Sequence, residues 1–347
     1  MRRRRILRGT GAGLALSLLI GGLVAPAVAG AAATASAAPH YPVVWSFLPT
    51  AVVSALQNGP DAAPPGSNVP CTPSAAHPDP VVLVHGLAGN QNDNWQTMSP
   101  FLADHGFCVF SLTYGNMASL PRPFDEIGGL VDMTKTAHDL ATFVDWVSAA
   151  THAPKVDIVG HSEGGTMPDY YIKFLGGSQK VAKFVMLSGV PHGTTFWGLS
   201  DLYDLAAAYG FSSQANAMSS FCGSCTEFLT GSSFIKLLDA PNAQPTAGEA
   251  ATCSYDGAAV DGVSYTSIAT EYDELVRPYT SDFIDPRCAG TGGIGVDNIV
   301  VQHQCASDLA DHLSIESDQV AAADVLNALD PAHAQPVHCT LTLPAIG

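Results

Sequence analysis

The ten residues from Val156 to Gly165 constrain this chain more than any other stretch. Val156, Ile158 and Val159 are apolar and β-branched, which suits a buried strand. Gly160-His161-Ser162-Glu163-Gly164 then interrupts the run, and Thr166 to Leu175 reads as a helix. A G-x-S-x-G turn between a strand and a helix is sharp enough to force strained backbone angles on its serine. Its two glycines leave room where a Cβ would strike neighbouring backbone. Such a turn presents the Ser162 hydroxyl at the tip of a strand. The free N–H groups and positive dipole end of a helix lie just behind it, a setting suited to a developing oxyanion.

Short apolar runs alternate with helical periodicity on both sides of this turn. Strands are predicted at Val81–His85, Phe107–Thr113, Val156–Val159, Lys183–Val190, Val263–Ile268 and Asn298–Gln302. Helices are predicted at Trp95–Gly106, Ile127–Thr151 and Ile315–Leu329; in the second, Met133, Ala137, Leu140, Val144 and Val147 recur close to a 3.6-residue period. Strands alternating with helices indicate the α/β class, with a mostly parallel sheet covered on both faces. Ligands then bind at the carboxyl ends of the strands. Residues 191–250 follow a strand directly and mix Gly, Ser and Ala with Phe196, Trp197, Tyr203, Tyr209, Phe211, Phe221 and Phe228. This insert is expected to form a cap over that end.

The flanks read differently. Arg2 to Arg5 and Arg8 precede an apolar stretch from Gly11 to Val28, and Ala27-Val28-Ala29 and Ala35-Ser36-Ala37 are small-x-small sites. Residues 1–37 are therefore expected to be a signal peptide cleaved near 29/30 or 37/38, with no stable membrane anchor left behind. The arginines also fit a twin-arginine export signal, as any such run would. Residues 38–80 are rich in Pro and Ala and are expected to be an extended lead-in pinned by Cys71. Residues 81–331 are expected to form the catalytic domain and 332–347 a tail.

With 14 Lys+Arg against 31 Asp+Glu, the net charge is −17, and loss of the five leader arginines takes it to −22. Such a chain repels nucleic acid and anionic membranes. Eight cysteines in an exported chain imply disulfides, and Cys222-Gly223-Ser224-Cys225 reads as a local staple in a Gly/Ser-rich loop. The spacings leave the remaining pairing open. No Cys/His pattern suggests zinc, and no metal or organic cofactor is expected.

A serine hydroxyl needs a base beside it, and the base needs an orienting carboxylate. On a sheet of this kind they follow the serine in the order acid, then histidine. His312 lies between the last strand and the last helix, where the base belongs. His192 comes early, His303 lies within or at the end of a strand, and His333 and His338 lie in the tail. The acid should cap the strand before the base. Asp273 is the choice there, with Glu271, Glu274 and the more distant Asp285 as rivals. Two backbone donors complete the site: the N–H of Glu163, directly after the serine, and that of Leu87 in the Gly-rich loop after the first strand.

From about Pro64 to Pro331 the chain resembles the secreted α/β-hydrolase lipases and esterases of actinobacteria. The matching segments include Val81-Val82-Leu83-Val84-His85-Gly86, Gly160-His161-Ser162-Glu163-Gly164-Gly165, Tyr272-Asp273-Glu274-Leu275-Val276 and Asp311-His312-Leu313. The resemblance implies an α/β-hydrolase fold, a Ser162–His312–Asp273 triad, and acyl esters or glycerides as substrates, met at a lipid–water interface by a secreted monomer. Such lipases often carry Gln or Met after the nucleophile, where this chain has Glu163. An ionised carboxylate there would oppose an oxyanion. The same triad would also serve an acyltransferase, and the same fold a non-catalytic binding protein.

Overall fold

The structure is a computed structural model describing residues 40–59, 61–117, 124–196 and 222–347. The expected leader and residues 197–221 of the expected cap lie outside the described residues, with five of the cap's eight aromatics.

Six parallel strands form one sheet: β1 (Val81–Val84), β2 (Val109–Leu112), β3 (Val156–His161), β4 (Val181–Leu187), β5 (Ser264–Ala269) and β6 (Gly295–Val300), in the spatial order β2-β1-β3-β4-β5-β6. The chain moves outward from β1 to β2 and then returns to β3 on the other side of β1. The order therefore switches between β1 and β3, where a crevice opens at the carboxyl edge.

Strand alternation divides the core in two. Val82 and Val84 of β1, Ile158 of β3 and Phe184 and Met186 of β4 face one apolar layer. That layer is completed by α4 (Met133–Thr151) and α5 (Met167–Phe174). Val81, Leu83, Val159, Val185 and Leu187 face the other layer. It contains Met98 and Leu102 of α3 (Met98–Asp104) and Val320 and Val325 of α9 (Gln319–Leu329). Both faces are thus covered, as the runs of consecutive apolar residues in the strands require.

Several predicted elements are corrected. The lead-in is not extended throughout: α1 (Leu48–Asn58) is an 11-residue helix, with Pro49 in the first turn, where its ring is pre-set for a helix and its missing N–H costs nothing. The helix predicted from Ile127 begins at Met133. The amides of Gly128, Gly129 and Leu130 instead bond the carbonyls of Gly89, Tyr114 and Gly115 (2.8, 2.8 and 3.0 Å), and the Glu227 carboxylate accepts the Met133 N–H. The helix predicted from Ile315 is broken at Asp318, whose carboxylate caps α9 at the Val320 and Ala321 amides. Between β1 and α3 an unforeseen turn, α2 (Gln91–Asn94), carries a capping box of Asn90 and Asp93. The last strand ends at Val300, so Gln302 and His303 belong to a helical turn, α8 (Val301–Gln304).

All eight cysteines pair, as Cys71–Cys108, Cys222–Cys225, Cys253–Cys288 and Cys305–Cys339. The first ties the lead-in to β2, and the second is the local staple. Among the described residues no helix is long and apolar enough to cross a membrane.

In the described part of the insert, α7 (Ser233–Asp239) packs beside α5, and α6 (Ser224–Glu227) packs beside α7. Lys173 of α5 fixes α7. Its buried ammonium donates to the carbonyls of Leu237, Leu238 and Ala240 (3.1, 2.6 and 2.7 Å) at the end of that helix. Burial lowers its pKa to about 8, with Asp169 and Asp239 opposing the shift. Lys173→Met fills similar space but strands three carbonyls. It is expected to destabilise the fold by roughly 2–4 kcal/mol, read as a lower urea midpoint.

Candidate active site

The turn after β3 has the geometry the sequence demands. Ser162 sits at φ +56°, in the left-handed region. A Cβ on Gly160 would lie 1.8 Å from the Gly164 carbonyl oxygen, and one on Gly164 would lie 1.9 Å from that of Val84. Strand β3 therefore turns this tightly beside β1 only with glycine at both positions.

The loops after β5 and β6 meet this turn. The Ser162 hydroxyl lies 2.9 Å from His312 Nε2, and His312 Nδ1 lies 2.8 Å from Asp273 Oδ2. The other carboxylate oxygen of Asp273 accepts the amides of Leu275 (2.9 Å) and Val276 (2.6 Å). Asp273 and His312 are both almost wholly buried. Burial works against charge on each, but each supports the other: the pair holds Asp273 below the usual carboxylate range and His312 above the usual imidazole value.

The rivals lie elsewhere. Glu274 accepts the backbone N–H of His312 at 3.2 Å, so it holds the loop rather than the ring. Glu271 pairs with exposed His303, and Asp285 with exposed Arg287. His192 is clamped between Asp239 (2.7 Å) and Asp256 (3.3 Å); although burial opposes it, this pairing raises its pKa to about 10, and the ring stays charged. His333 pairs with Asp330, and His338 is exposed.

The loop after β1 is held so that one amide is left over. Gly86 N–H donates to Asn94 Oδ1 (2.7 Å), Ala88 N–H to the Gly128 carbonyl (3.1 Å), and Gly89 N–H to that of Gly86 (3.2 Å). The amides of Leu87 and Glu163 have no protein partner among the described residues, and both residues line the same cavity as Ser162.

A chain of hydrogen bonds connects these loops. The side-chain N–H of Asn94 donates to His161 Nδ1 (3.1 Å), and His161 Nε2–H donates to the backbone carbonyl of His312 (2.8 Å). Burial holds His161 neutral, with a pKa of about 3. Asn94 carries no sequence signal for this role. His161 precedes the serine in the motif, which marks it only as part of the turn.

Glu163 points away from solvent, with both carboxyl oxygens buried and unpaired. The nearby hydroxyls of Tyr114 and Ser224 donate instead to the carbonyls of His85 and Gly129. Burial pushes its pKa well above the usual carboxylate range, and Glu227 adds to this. Burial therefore favours the neutral carboxyl over the carboxylate, which works against the electrostatic objection raised by the sequence.

The cavity above Ser162 measures about 440 Å³. Its walls include Val190, Thr194, Phe196, Phe228, Leu275 and Leu313, with Phe47 and Leu48 from the start of α1. Two of the three described aromatics of the insert, Phe196 and Phe228, thus line it. No cluster of three or more His, Cys, Asp or Glu able to hold a metal occurs among the described residues.

Residues 78–277, more than half of the chain, match the family model described as "Lipase (class 2)". The chain belongs to the class 2 lipase family. A triacylglycerol lipase of Burkholderia plantarii is 30% identical over 154 residues, which are 41% of this chain and 39% of that protein. One of Pseudarthrobacter phenanthrenivorans is 31% identical over 118 residues, 33% of each chain. The matched stretches span well under half the length of either relative. Among solved structures, Aspergillus fumigatus lipase B aligns with a TM-score of 0.51 at 18% identity, covering 80% of this chain and 56% of that one. The shared architecture is the α/β-hydrolase fold. Within this class 2 lipase fold, Ser162 follows β3, Asp273 follows β5, and His312 follows β6.

Proposed function

We propose that the chain is a carboxylic ester hydrolase of the lipase/esterase type that works through an acyl-enzyme on Ser162. The observation that carries this reading is the hydrogen-bonded run Asp273–His312–Ser162 at the foot of an apolar cavity. His312 Nε2 takes the proton from the Ser162 hydroxyl as the oxygen attacks the ester carbonyl. Asp273 keeps the other ring proton on Nδ1 and stabilises the imidazolium. The free amides of Leu87 and Glu163 receive the oxyanion. His312 then protonates the departing alcohol, and water repeats the cycle to release the acid. The aromatic wall suits an acyl chain, so acyl esters and glycerides are the proposed substrates. Four disulfides support a site of action outside the reducing cytosol, reached through the leader at residues 1–37.

The test is hydrolysis of p-nitrophenyl esters from acetyl to palmitoyl, with labelling of Ser162 by an active-site phosphonate. Turnover peaking at medium or long chains, with the label on Ser162, is expected. Absence of both would sink the proposal.

Glu163 adds a pH signature. Its carboxyl is raised in the folded state, so it is neutral below that raised value and ionises above it. Ionisation places a negative charge beside the oxyanion and lowers kcat/KM. Glu163→Gln is expected to keep the rate of the parent wherever the parent carboxyl is neutral and to carry the plateau to more alkaline pH. A pH profile identical to that of the parent would refute this.

A further inference from the structure

The cavity above Ser162 has two unlike ends. The serine follows β3, so residues carried by β1 reach it from one side of the sheet order and residues carried by β4 and β5 from the other. Val190, Phe196, Phe228, Leu275 and Val276 come from the β4–β5 side and bear no charge. The β1 side brings Gly89 and Asp93, with Phe47 and Leu48 from the start of α1. Helix α1 belongs to this side because Ser54 Oγ donates to Asn92 Oδ1 of α2 at 2.7 Å.

Asp93 is the ionisable wall residue that the mechanism does not use. Burial favours the neutral form of His161 and of Glu163, which also line the cavity. Asp93 is fixed by α2: its Oδ1 accepts the Asn90 amide at 2.8 Å, and a Cβ on Gly89 would lie 3.2 Å from that oxygen. Its carboxyl therefore lies against the loop that carries Leu87. Burial pushes the carboxyl up to about 6, against the amides of Asn90 and Asn94, and the carboxylate of Asp61 adds to the rise. Asp93 acts in the same way on wholly buried Glu316, which burial already holds well above the usual carboxylate range. Acidic groups thus gather at this end, and no Lys or Arg lines the cavity among the described residues.

We propose that the β1 end of the cavity receives the alcohol part of the ester, and that Asp93 selects alcohols bearing a cationic nitrogen, of the amino-alcohol or choline type. A largely buried carboxylate without a cation beside it is costly, and a cationic ligand supplies the missing charge. Phe47 adds an aromatic ring at the same end, the partner that quaternary ammonium groups favour. The net charge of −17 draws cations toward such a cleft. The acyl chain is left to the uncharged aromatic end. The proposal rests on the hydrolase reading in that it names the alcohol which that site releases, but its selectivity is also measured without turnover.

The experiment compares butyrylcholine with its neutral isostere, in which carbon replaces the quaternary nitrogen. Both esters need the same deprotonated His312, so its titration cancels in the ratio of their kcat/KM values. Asp93 is neutral below its raised pKa and charged above it. The ratio should therefore climb about tenfold in favour of the cation as pH rises through about 6. In Asp93→Asn, which keeps an oxygen for the Asn90 amide, the ratio should stay low and flat. Dissociation constants of the two esters from Ser162→Ala protein should show the same preference with no chemistry. A parent ratio independent of pH, or one that Asp93→Asn leaves unchanged, would overturn the proposal while ester turnover left the hydrolase reading standing. Asp93-dependent binding of the cation without turnover of any ester would do the reverse. If Asp93→Asn instead lowered turnover of glyceryl monobutyrate against propyl butyrate and left the cationic pair alone, Asp93 would be reading a hydroxyl, and the proposal would fall.

Discussion

Ser162→Ala is expected to lower kcat on a soluble ester by about 10⁶-fold, to the residue of activity that oxyanion donors and binding alone supply. Among the described residues no other hydroxyl is hydrogen-bonded to His312 Nε2, so none of them is placed to take over the attack. The cavity walls and the amides of Leu87 and Glu163 are untouched, and KM for the remaining activity should change little. Alanine at φ +56° carries the same backbone strain as serine, so the thermal midpoint should stay near that of the parent. Loss of activity with an unchanged midpoint separates chemistry from misfolding. Activity above about 1% of the parent would point to another nucleophile.

Asp273→Asn is expected to cost about 10⁴-fold in kcat, for a reason set by the two amides that hold it. Leu275 and Val276 N–H groups both donate to one oxygen of Asp273. In the variant the amide oxygen satisfies them, which turns the NH₂ toward His312 Nδ1. The ring must then accept at Nδ1 and carry its proton on Nε2, where it can no longer accept from Ser162. Glu274→Gln keeps a carbonyl for the His312 backbone and should cost less than about tenfold. The pH profile gives an independent reading. Asp273 helps hold His312 above its ordinary value, so kcat/KM should rise with pH only as that raised group deprotonates. Without the carboxylate, the acid limb of any residual activity should move to lower pH. A variant limb at the parent position would count against the pairing as the cause.

The sheet was legible because β1, β3 and β4 are short, mostly apolar runs, and all six strands appear within a few residues of their predicted places. Ser162, Asp273 and His312 could be named because chain order and strand ends restrict the choice, and their side chains meet in the structure. Boundaries failed where tertiary partners decide them. Gly128 to Leu130 look helical by period but bond to the loop after β1 and the segment after β2. Segment 38–80 looked extended because most of its prolines follow residue 59, yet α1 needs only Pro49 at its start. Asn94 was invisible as a site residue, and Glu274 was visible only as a rival for the acid. Their roles depend on which backbone group lies opposite, and no local pattern encodes that.

Thr194 gives the insert an engineering property. Its hydroxyl donates to the Leu275 carbonyl (2.7 Å) and accepts the Arg277 amide (2.8 Å), just past Asp273. Its backbone pairs with the other stem of the insert, taking Phe228 O at 2.9 Å and Thr230 N at 3.0 Å. Whatever is threaded between Phe196 and Cys222 thus departs from and returns to a clamp anchored on the acid loop. Changes of length or composition in the intervening stretch are therefore expected to leave the Asp273–His312–Ser162 hydrogen bonds in register.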